Sequence, residues 1–396
     1  MDERNYYCNY KFKFLKIDLS SNLTYNCHAS APQEINFEDL ENNTGSLFNS
    51  TINVTERKQM LQNERTVSCE QNCWHSEDKG GSSPRLWQGG CDKTHHDVYA
   101  SPEIVDLTIS SNCNLTCTYC CKEFSTAWLR DLINNGEYSY TAPSIELEQR
   151  NHVYPIDIKK FKTKQRQLKQ DTNYQTLLNE IVYYSKTANE LIVTGGDPFV
   201  DNDLFGIIEK VNMKTGSTIV FYTGLGVSFT RFKKYIKQIK QIKHANIQLR
   251  ISAECTAGLL EFNRYGIVWE EFLEKINYLK EHDVNFVFHS TLSNLSVFGF
   301  VDFYKMFNDL QITTTFAYTP RMMAPYVLDP ESKIKILEDI TCLPTAVHRS
   351  IKTSITPTPD ETQRLHIKEF LQEFARRRSD LSLSVFPDSF LKWIKI

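Results

Sequence analysis

Three cysteines fall within eight residues, at Cys113, Cys117 and Cys120, in the spacing C-x3-C-x2-C, and Cys121 follows directly. Thiolates bind soft transition metals, and three of them on so short a loop can hold three corners of one iron–sulfur cubane. Most such clusters take four cysteines, so a triplet leaves one iron with an exchangeable position. The residues alone leave other chemistries open. Zinc can use the same thiolates, although it prefers four ligands in paired knuckles. Cys117-Thr-Tyr-Cys120 also has the spacing of a redox dithiol, without thioredoxin-like surroundings. Cys121 adds a second register, C-x3-C-x3-C, to the preferred one that ends at Cys120.

The bulk properties fit this chemistry. A length of 396 residues suits one large domain with appendages, or two domains. With 41% hydrophobic and 23% charged residues, the chain has the makings of a globular core. A formal charge of −3 argues against a dedicated nucleic-acid or membrane binder. No apolar run approaches the roughly 18 residues of a membrane span, and the opening MDERNYYCNYKFKF lacks the apolar stretch of a secretory signal. A cytoplasmic location is therefore expected (host cytoplasm for a viral chain), with no membrane partner. There, eleven cysteines read as metal or redox groups rather than disulfides.

The elements that must position the triplet begin near residue 103. Strands are predicted at Ile104–Ile109, Leu191–Thr194, Thr218–Tyr222, Ile247–Ile251, Phe286–His289 and Ile312–Ala317, from short Val-, Ile-, Thr- and Phe-rich runs. Helices are predicted between them. One carries Phe232, Tyr235, Ile236, Ile239 and Ile242 on one face, and another Trp269, Phe272, Leu273, Ile276 and Leu279. Six strands alternating with helices imply an α/β fold with a parallel sheet, curled into an open or closed barrel. Residues 137–170 read as a polar, basic insertion carrying Lys159, Lys160, Lys162, Lys164, Arg166 and Lys169. Lysines flanking the first helical stripe, Lys233, Lys234, Lys237, Lys240 and Lys243, read as a solvated helix face. A last helix is predicted from the N-cap Asp360 to Arg377. The expected organisation is a loop-rich N-terminal extension at 1–100, a core at 101–320 and a C-terminal helical cap at 321–396.

The triplet follows the first predicted barrel strand, where loops form the active face of β/α barrels. Tyr119 sits between its last two cysteines, Thr194-Gly195-Gly196-Asp197-Pro198 closes the second strand, and Ser252-Ala253-Glu254 closes the fourth. Arg264 follows in Asn263-Arg264-Tyr265-Gly266. Over about 103–320 this set resembles the radical S-adenosylmethionine superfamily, whose second-strand motif has Glu where this chain has Asp197. The resemblance implies a partial (β/α)6 TIM-like barrel binding a 4Fe-4S cluster and S-adenosylmethionine (SAM). It implies that Cys113, Cys117 and Cys120 hold iron and that Tyr119 is the aromatic of the cluster motif. Gly195, Gly196 and Asp197 would sit by the methionine amino group, and Ser252, Glu254 and Arg264 by the ribose and carboxylate. The implied reaction is reductive cleavage of SAM to a 5′-deoxyadenosyl radical that abstracts hydrogen from a substrate. An electron donor such as flavodoxin or ferredoxin would be a partner.

Further upstream, Cys73, Trp74, Glu77, Gly80, Ser83 and Arg85 follow a spacing similar to that of phage-type twitch-domain radical SAM proteins, although Glu70 stands where those have a cysteine and Cys69 lies one residue earlier. Ser125 and Trp128 also resemble that group. Neither resemblance identifies a substrate. A nucleotide or modified DNA base and a peptide both remain, as does a non-catalytic zinc-binding interaction protein. Cys69, Cys73 and Cys91, with His75, His95 and His96 nearby, are either a second metal site or small buried hydrophobes.

Overall fold

The structure is a computed structural model, and it describes residues 5–81, 83–87, 91–151 and 172–396. The basic run from Lys159 to Lys169 lies outside the described residues. The strands in chain order are β1 (Phe14–Asp18), β2 (Leu23–Tyr25), β3 (Gln33–Glu34), β4 (Ile104–Thr108), β5 (Thr116–Cys117), β6 (Glu190–Thr194), β7 (Thr218–Thr223), β8 (Asn246–Ile251), β9 (Arg264–Tyr265), β10 (Phe286–Leu292) and β11 (Ile312–Phe316). The chain divides into two compact units, one of residues 1–110, 159–221 and 237–247, the other of 111–158, 222–236 and 248–396.

In the first unit β1, β4, β6 and β7 lie side by side in parallel, with β2 and β3 added antiparallel beyond β1. Leu191, Ile192 and Val193 of β6 and Ile219, Val220 and Phe221 of β7 are buried in succession. Such near-continuous apolar runs are what a parallel strand covered on both faces requires. The helix Thr172–Ser185 supplies cover for β4 through its buried face of Leu177, Leu178 and Ile181.

In the second unit β8, β10 and β11 are again parallel. Phe288 of β10 is fully buried against the rings of Phe272, Phe303 and Phe307, with centroids 6.5, 4.9 and 4.8 Å away. The helix Trp269–Glu281 presents the expected stripe, with Phe272, Ile276 and Leu279 buried. The helix predicted as the last spans Glu361–Arg376, and a further short helix, Asp388–Ile394, follows it. Asp360 caps the longer one, and Gln363 completes a capping box by accepting from the Asp360 amide.

The mixed α/β architecture with a largely parallel sheet agrees with the sequence reading, and each of the six predicted strands is present within a few residues. Two differences stand out. The residues before 100 are not only loops: β1 pairs in parallel with β4 over five register partners, and the helix Thr51–Leu61 follows. Strand β1 buries Phe14, Leu15 and Ile17, so it lacks the clean alternation that marks a half-exposed strand. The first helical stripe also ends sooner, at Ile239, leaving Ile242 outside the helix Phe229–Ile239. Lys233, Lys234, Lys237, Lys240 and Lys243 are exposed, as a solvated face requires. Among the described residues no helix is long and apolar enough to cross a membrane.

Candidate functional site

The cysteine loop of the second unit is held by its own short-range chemistry. Ser125 caps the helix Thr126–Asn135 by accepting from the Trp128 amide, and its hydroxyl donates to the Leu115 carbonyl at 2.7 Å. Thr126 Oγ1 accepts from the Cys113 amide at 3.2 Å and donates to the Cys113 carbonyl at 3.1 Å. Trp128 Nε1 donates to the Cys117 carbonyl at 2.9 Å. Three side chains of one helical turn thus fix the loop at Cys113, Leu115 and Cys117. This gives Ser125 and Trp128 a physical role: they hold the cysteines in place.

Cys113, Cys117 and Cys121 are buried and Cys120 is half-buried, and none of the eleven cysteines forms a disulfide. Burial pushes the Cys120 thiol well above its ordinary range, and its neighbours Cys117, Cys121 and Cys113 push it further. Cys120 therefore lies within electrostatic reach of the other three sulfurs. Cys121 helps to lower the Glu123 carboxyl, which burial raises and Lys122 lowers, and the Cys120 thiol donates to the Cys121 carbonyl at 3.8 Å. Among the described residues no three His, Cys, Asp or Glu side chains are already closed around an ion position.

Arg264 meets this loop. Strands β5 and β9 form a two-residue antiparallel ribbon in which Cys117 and Arg264 are register partners. The guanidinium Nη1 lies 3.8 Å from Cys117 Sγ, and the group lies 5.6 Å from the centroid of the Tyr119 ring. Its other edge is taken by Glu254: Nε donates to Oε1 at 3.0 Å and Nη2 to Oε2 at 2.6 Å. Both residues are almost completely buried, at 0% exposure for Glu254 and 4% for Arg264. Burial opposes the charge on Arg264, but Glu254, Tyr119 and Cys117 outweigh it and hold the group protonated. Burial raises Glu254, and Arg264 works against that rise. Sequence reasoning singled out both residues and missed that they pair. Ser252 stands at the end of β8, where its amide donates to the Thr223 carbonyl at 2.9 Å.

Gly195, Gly196 and Asp197 belong to the first unit. Gly195 has φ +135°, and a Cβ there would lie 2.5 Å from the Ser110 carbonyl oxygen. The Gly196 amide donates to that same oxygen at 2.8 Å. The turn is thus built on backbone approach that any side chain would block. Asp197 caps the short helix Pro198–Val200 by accepting from the Phe199 amide at 3.0 Å. Gly195→Ala should cost roughly 2–3 kcal/mol, read as a lower denaturation midpoint. An unchanged midpoint would mean that the turn relaxes freely.

A feature the sequence did not reveal is the polar face of the strands in the second unit. Arg250 Nη1 donates to the Tyr222 hydroxyl at 2.6 Å. His289 Nδ1 lies 3.2 Å from Thr313 Oγ1, and its ring meets Tyr222 edge-on at 5.3 Å. Burial, then Arg250 and Arg264, lower His289 from 6.5 to about 4. The folded protein therefore keeps this imidazole neutral where the unfolded chain would protonate it. Its contribution to stability is complete above about 6.5 and is lost as pH falls through about 4. Urea midpoints should fall across that window, and less steeply in His289→Gln; identical slopes would refute the assignment.

The upstream motif residues form a network in the first unit. Arg85 grips Glu77 bidentately, with Nε to Oε1 at 2.8 Å and Nη2 to Oε2 at 2.6 Å, and Ser83 donates to the same carboxylate. The guanidinium lies 4.9 Å from the Trp74 ring centroid, and its Nη1 donates to Cys91 Sγ at 2.7 Å.

No protein-family model matches the chain, and no curated protein matches it. Among solved structures it is similar to native anSMEcpe with bound AdoMet, at 14% identity and TM-score 0.31, covering 54% of this chain and 51% of that one. It is also similar to native anSMEcpe with bound AdoMet and Cp18Cys peptide, at 12% identity and TM-score 0.33, covering 60% and 58%. A third, native anSMEcpe with bound AdoMet and Kp18Cys peptide, stands at 14% and 0.33, covering 60% and 59%. The chain thus spans just over half the length of these structures.

Proposed function

We propose that this chain is a radical SAM enzyme, built as a partial (β/α)6 barrel, with Cys113, Cys117 and Cys120 as the ligands of a 4Fe-4S cluster. The observation that carries the reading is the pairing of Cys117 with a buried, Glu254-oriented arginine across the β5–β9 ribbon. The donor set fits such a group: several thiols on one loop within electrostatic reach, outside any disulfide, beside a fixed cation. Three thiolates beside an open iron suit a cluster that must also bind a ligand.

When bound, the cluster would supply one electron to break a carbon–sulfur bond of SAM, and the resulting 5′-deoxyadenosyl radical would take hydrogen from a substrate. The protein's own share is positioning. Trp128 fixes the Cys117 carbonyl, and Arg264 sets positive charge beside the Cys117 sulfur, where anionic thiolate needs it. Glu254 touches Arg264 rather than a ligand, so it acts as a positioning residue. It spends one edge of the guanidinium and leaves Nη1 directed at the loop. Tyr119, Gly195, Gly196, Asp197 and Ser252 keep the roles toward SAM that the resemblance implies.

The test is anaerobic reconstitution with iron and sulfide, followed by reduction in the presence of SAM. Broad visible absorption and release of 5′-deoxyadenosine are expected. A colourless protein that binds zinc and leaves SAM intact would select the non-catalytic reading instead.

A further inference from the structure

We propose that Arg378, just past the helix Glu361–Arg376, is a positioning residue for the cysteine site, a role that rests on the reading of Cys117 as a cluster ligand. It fastens the β5–β9 ribbon to the helix Thr126–Asn135, and so fixes Cys117 and Arg264 against the loop. Arg378 is buried, at 4% exposure. Its Nη2 donates to Thr116 Oγ1 on β5 at 3.1 Å and lies 3.3 Å from Asp131 Oδ1 on that helix. One nitrogen thus bridges the ribbon and the element whose first turn holds the loop. Nη1 donates to the Tyr138 hydroxyl and to the Phe374 carbonyl, both at 3.2 Å. The guanidinium carbon lies 4.9 Å from the Tyr265 ring centroid on β9 and 5.5 Å from that of Trp128, which holds the Cys117 carbonyl.

The ribbon's register makes this contact matter. Thr116 pairs with Tyr265, and Cys117 pairs with Arg264. Successive side chains of a strand point to opposite faces. Arg378 therefore takes the face that Cys117 and Arg264 leave, and it touches both members of the other pair. The same segment ties Tyr265 a second time, by the tyrosine hydroxyl donating to Asp380 Oδ1 at 3.2 Å. Two residues per strand give the ribbon few hydrogen bonds of its own with which to resist a slip, and a slip of one residue would exchange the pairs.

An arginine at a helix C-terminus ordinarily caps the last carbonyls. The Phe374 contact is of that kind, and it can be made with the rest of the side chain in water. Here the side chain is buried, and among the described residues its Nε meets no acceptor. A buried N–H left unpaired is costly, so capping alone would not keep the group inside. The contacts to Thr116, Asp131 and Tyr265 do. Asp131 is already paired with Arg377, Nη1 to Oδ2 at 2.9 Å, so the helix has an anchor without Arg378. What Arg378 adds is the link to the ribbon.

The experiment reads the thiols of the full chain, free of metal and under native conditions. Alkylation by iodoacetamide is followed cysteine by cysteine with mass spectrometry. Cys255, fully buried in the same unit, reports general loosening. Arg378→Met leaves Asp131 paired with Arg377 and should raise the Cys117 rate roughly tenfold, with Cys255 unchanged. Because Arg378→Met can also unfold the unit, Thr116→Val is read beside it. That variant removes only the ribbon's hydroxyl, and it should raise the Cys117 rate by less, again with Cys255 unchanged. The double variant should go no further than Arg378→Met, since both act through one contact. After reconstitution, Arg378→Met should cleave SAM ~10–100-fold more slowly than the unsubstituted chain. An unchanged Cys117 rate overturns the proposal, as does SAM cleavage at the unsubstituted rate. An equal rise at Cys255 overturns it too, because it marks a merely structural role. If the unsubstituted chain itself forms no cluster, the cluster reading falls, while the thiol rates still decide whether Arg378 positions Cys117.

Discussion

Cys117→Ala should lose both the visible absorption of the reconstituted protein and the reductive cleavage of SAM, the latter by more than the ~10–100-fold typical of losing an outer-shell partner. Cys117 is the point where three restraints meet. Its carbonyl is held by Trp128, its sulfur faces Arg264 Nη1 at 3.8 Å, and its backbone pairs with Arg264 in the ribbon. Alanine keeps the backbone restraints and removes only the sulfur, so a folded, colourless, inactive variant is the informative outcome. Cys121→Ala should retain cleavage, because the proposed ligand register ends at Cys120. Full cleavage by Cys117→Ala, or loss confined to Cys121→Ala, would overturn the ligand assignment.

The second large effect is on stability. Glu254→Gln or Arg264→Met should each cost about 3–5 kcal/mol, because either leaves one charge buried without its partner. The double variant with Met at both positions should recover most of that loss, since a well-packed apolar pair avoids the desolvation penalty altogether. Arg264→Lys keeps the charge but not the planar fork that meets both Glu254 oxygens, and should fall between. Guanidinium unfolding midpoints across this set decide the matter. Single-variant costs below about 1 kcal/mol would mean that the pair is hydrated and does not orient the guanidinium.

Much of the frame was legible because parallel strands advertise themselves. Leu191-Ile-Val-Thr and Phe286-Val-Phe-His are short apolar runs that only a doubly covered strand explains. The Asp360 cap likewise marked its helix by local chemistry. Contacts distant in sequence were not legible. Glu254 and Arg264 each read as a ligand-facing residue, and nothing in their spacing says that they pair. Arg250 and His289 fall within predicted strands without a role of their own, yet the alternation of β8 and β10 turns them to one polar face with Tyr222. Cys8 and Cys27 carried no motif, and only the folding of β1 and β2 brings them to Cys69 and Cys73.

The two-residue ribbon bears on how such a protein can diverge. Cys117 and Arg264 are 147 positions apart in sequence yet adjacent in register. Chain added or removed between them, as in the segment at 137–170, need not disturb their spacing so long as the ribbon forms. A single-residue slip within the ribbon would turn Arg264 away and present Tyr265 or Asn263 instead. Homologous chains should therefore vary freely in length across the intervening loops while holding Cys117–Cys120 and Glu254–Arg264 at constant length. The two short segments would be inherited as a linked pair, in which a change at one is tolerated only with a matching change at the other.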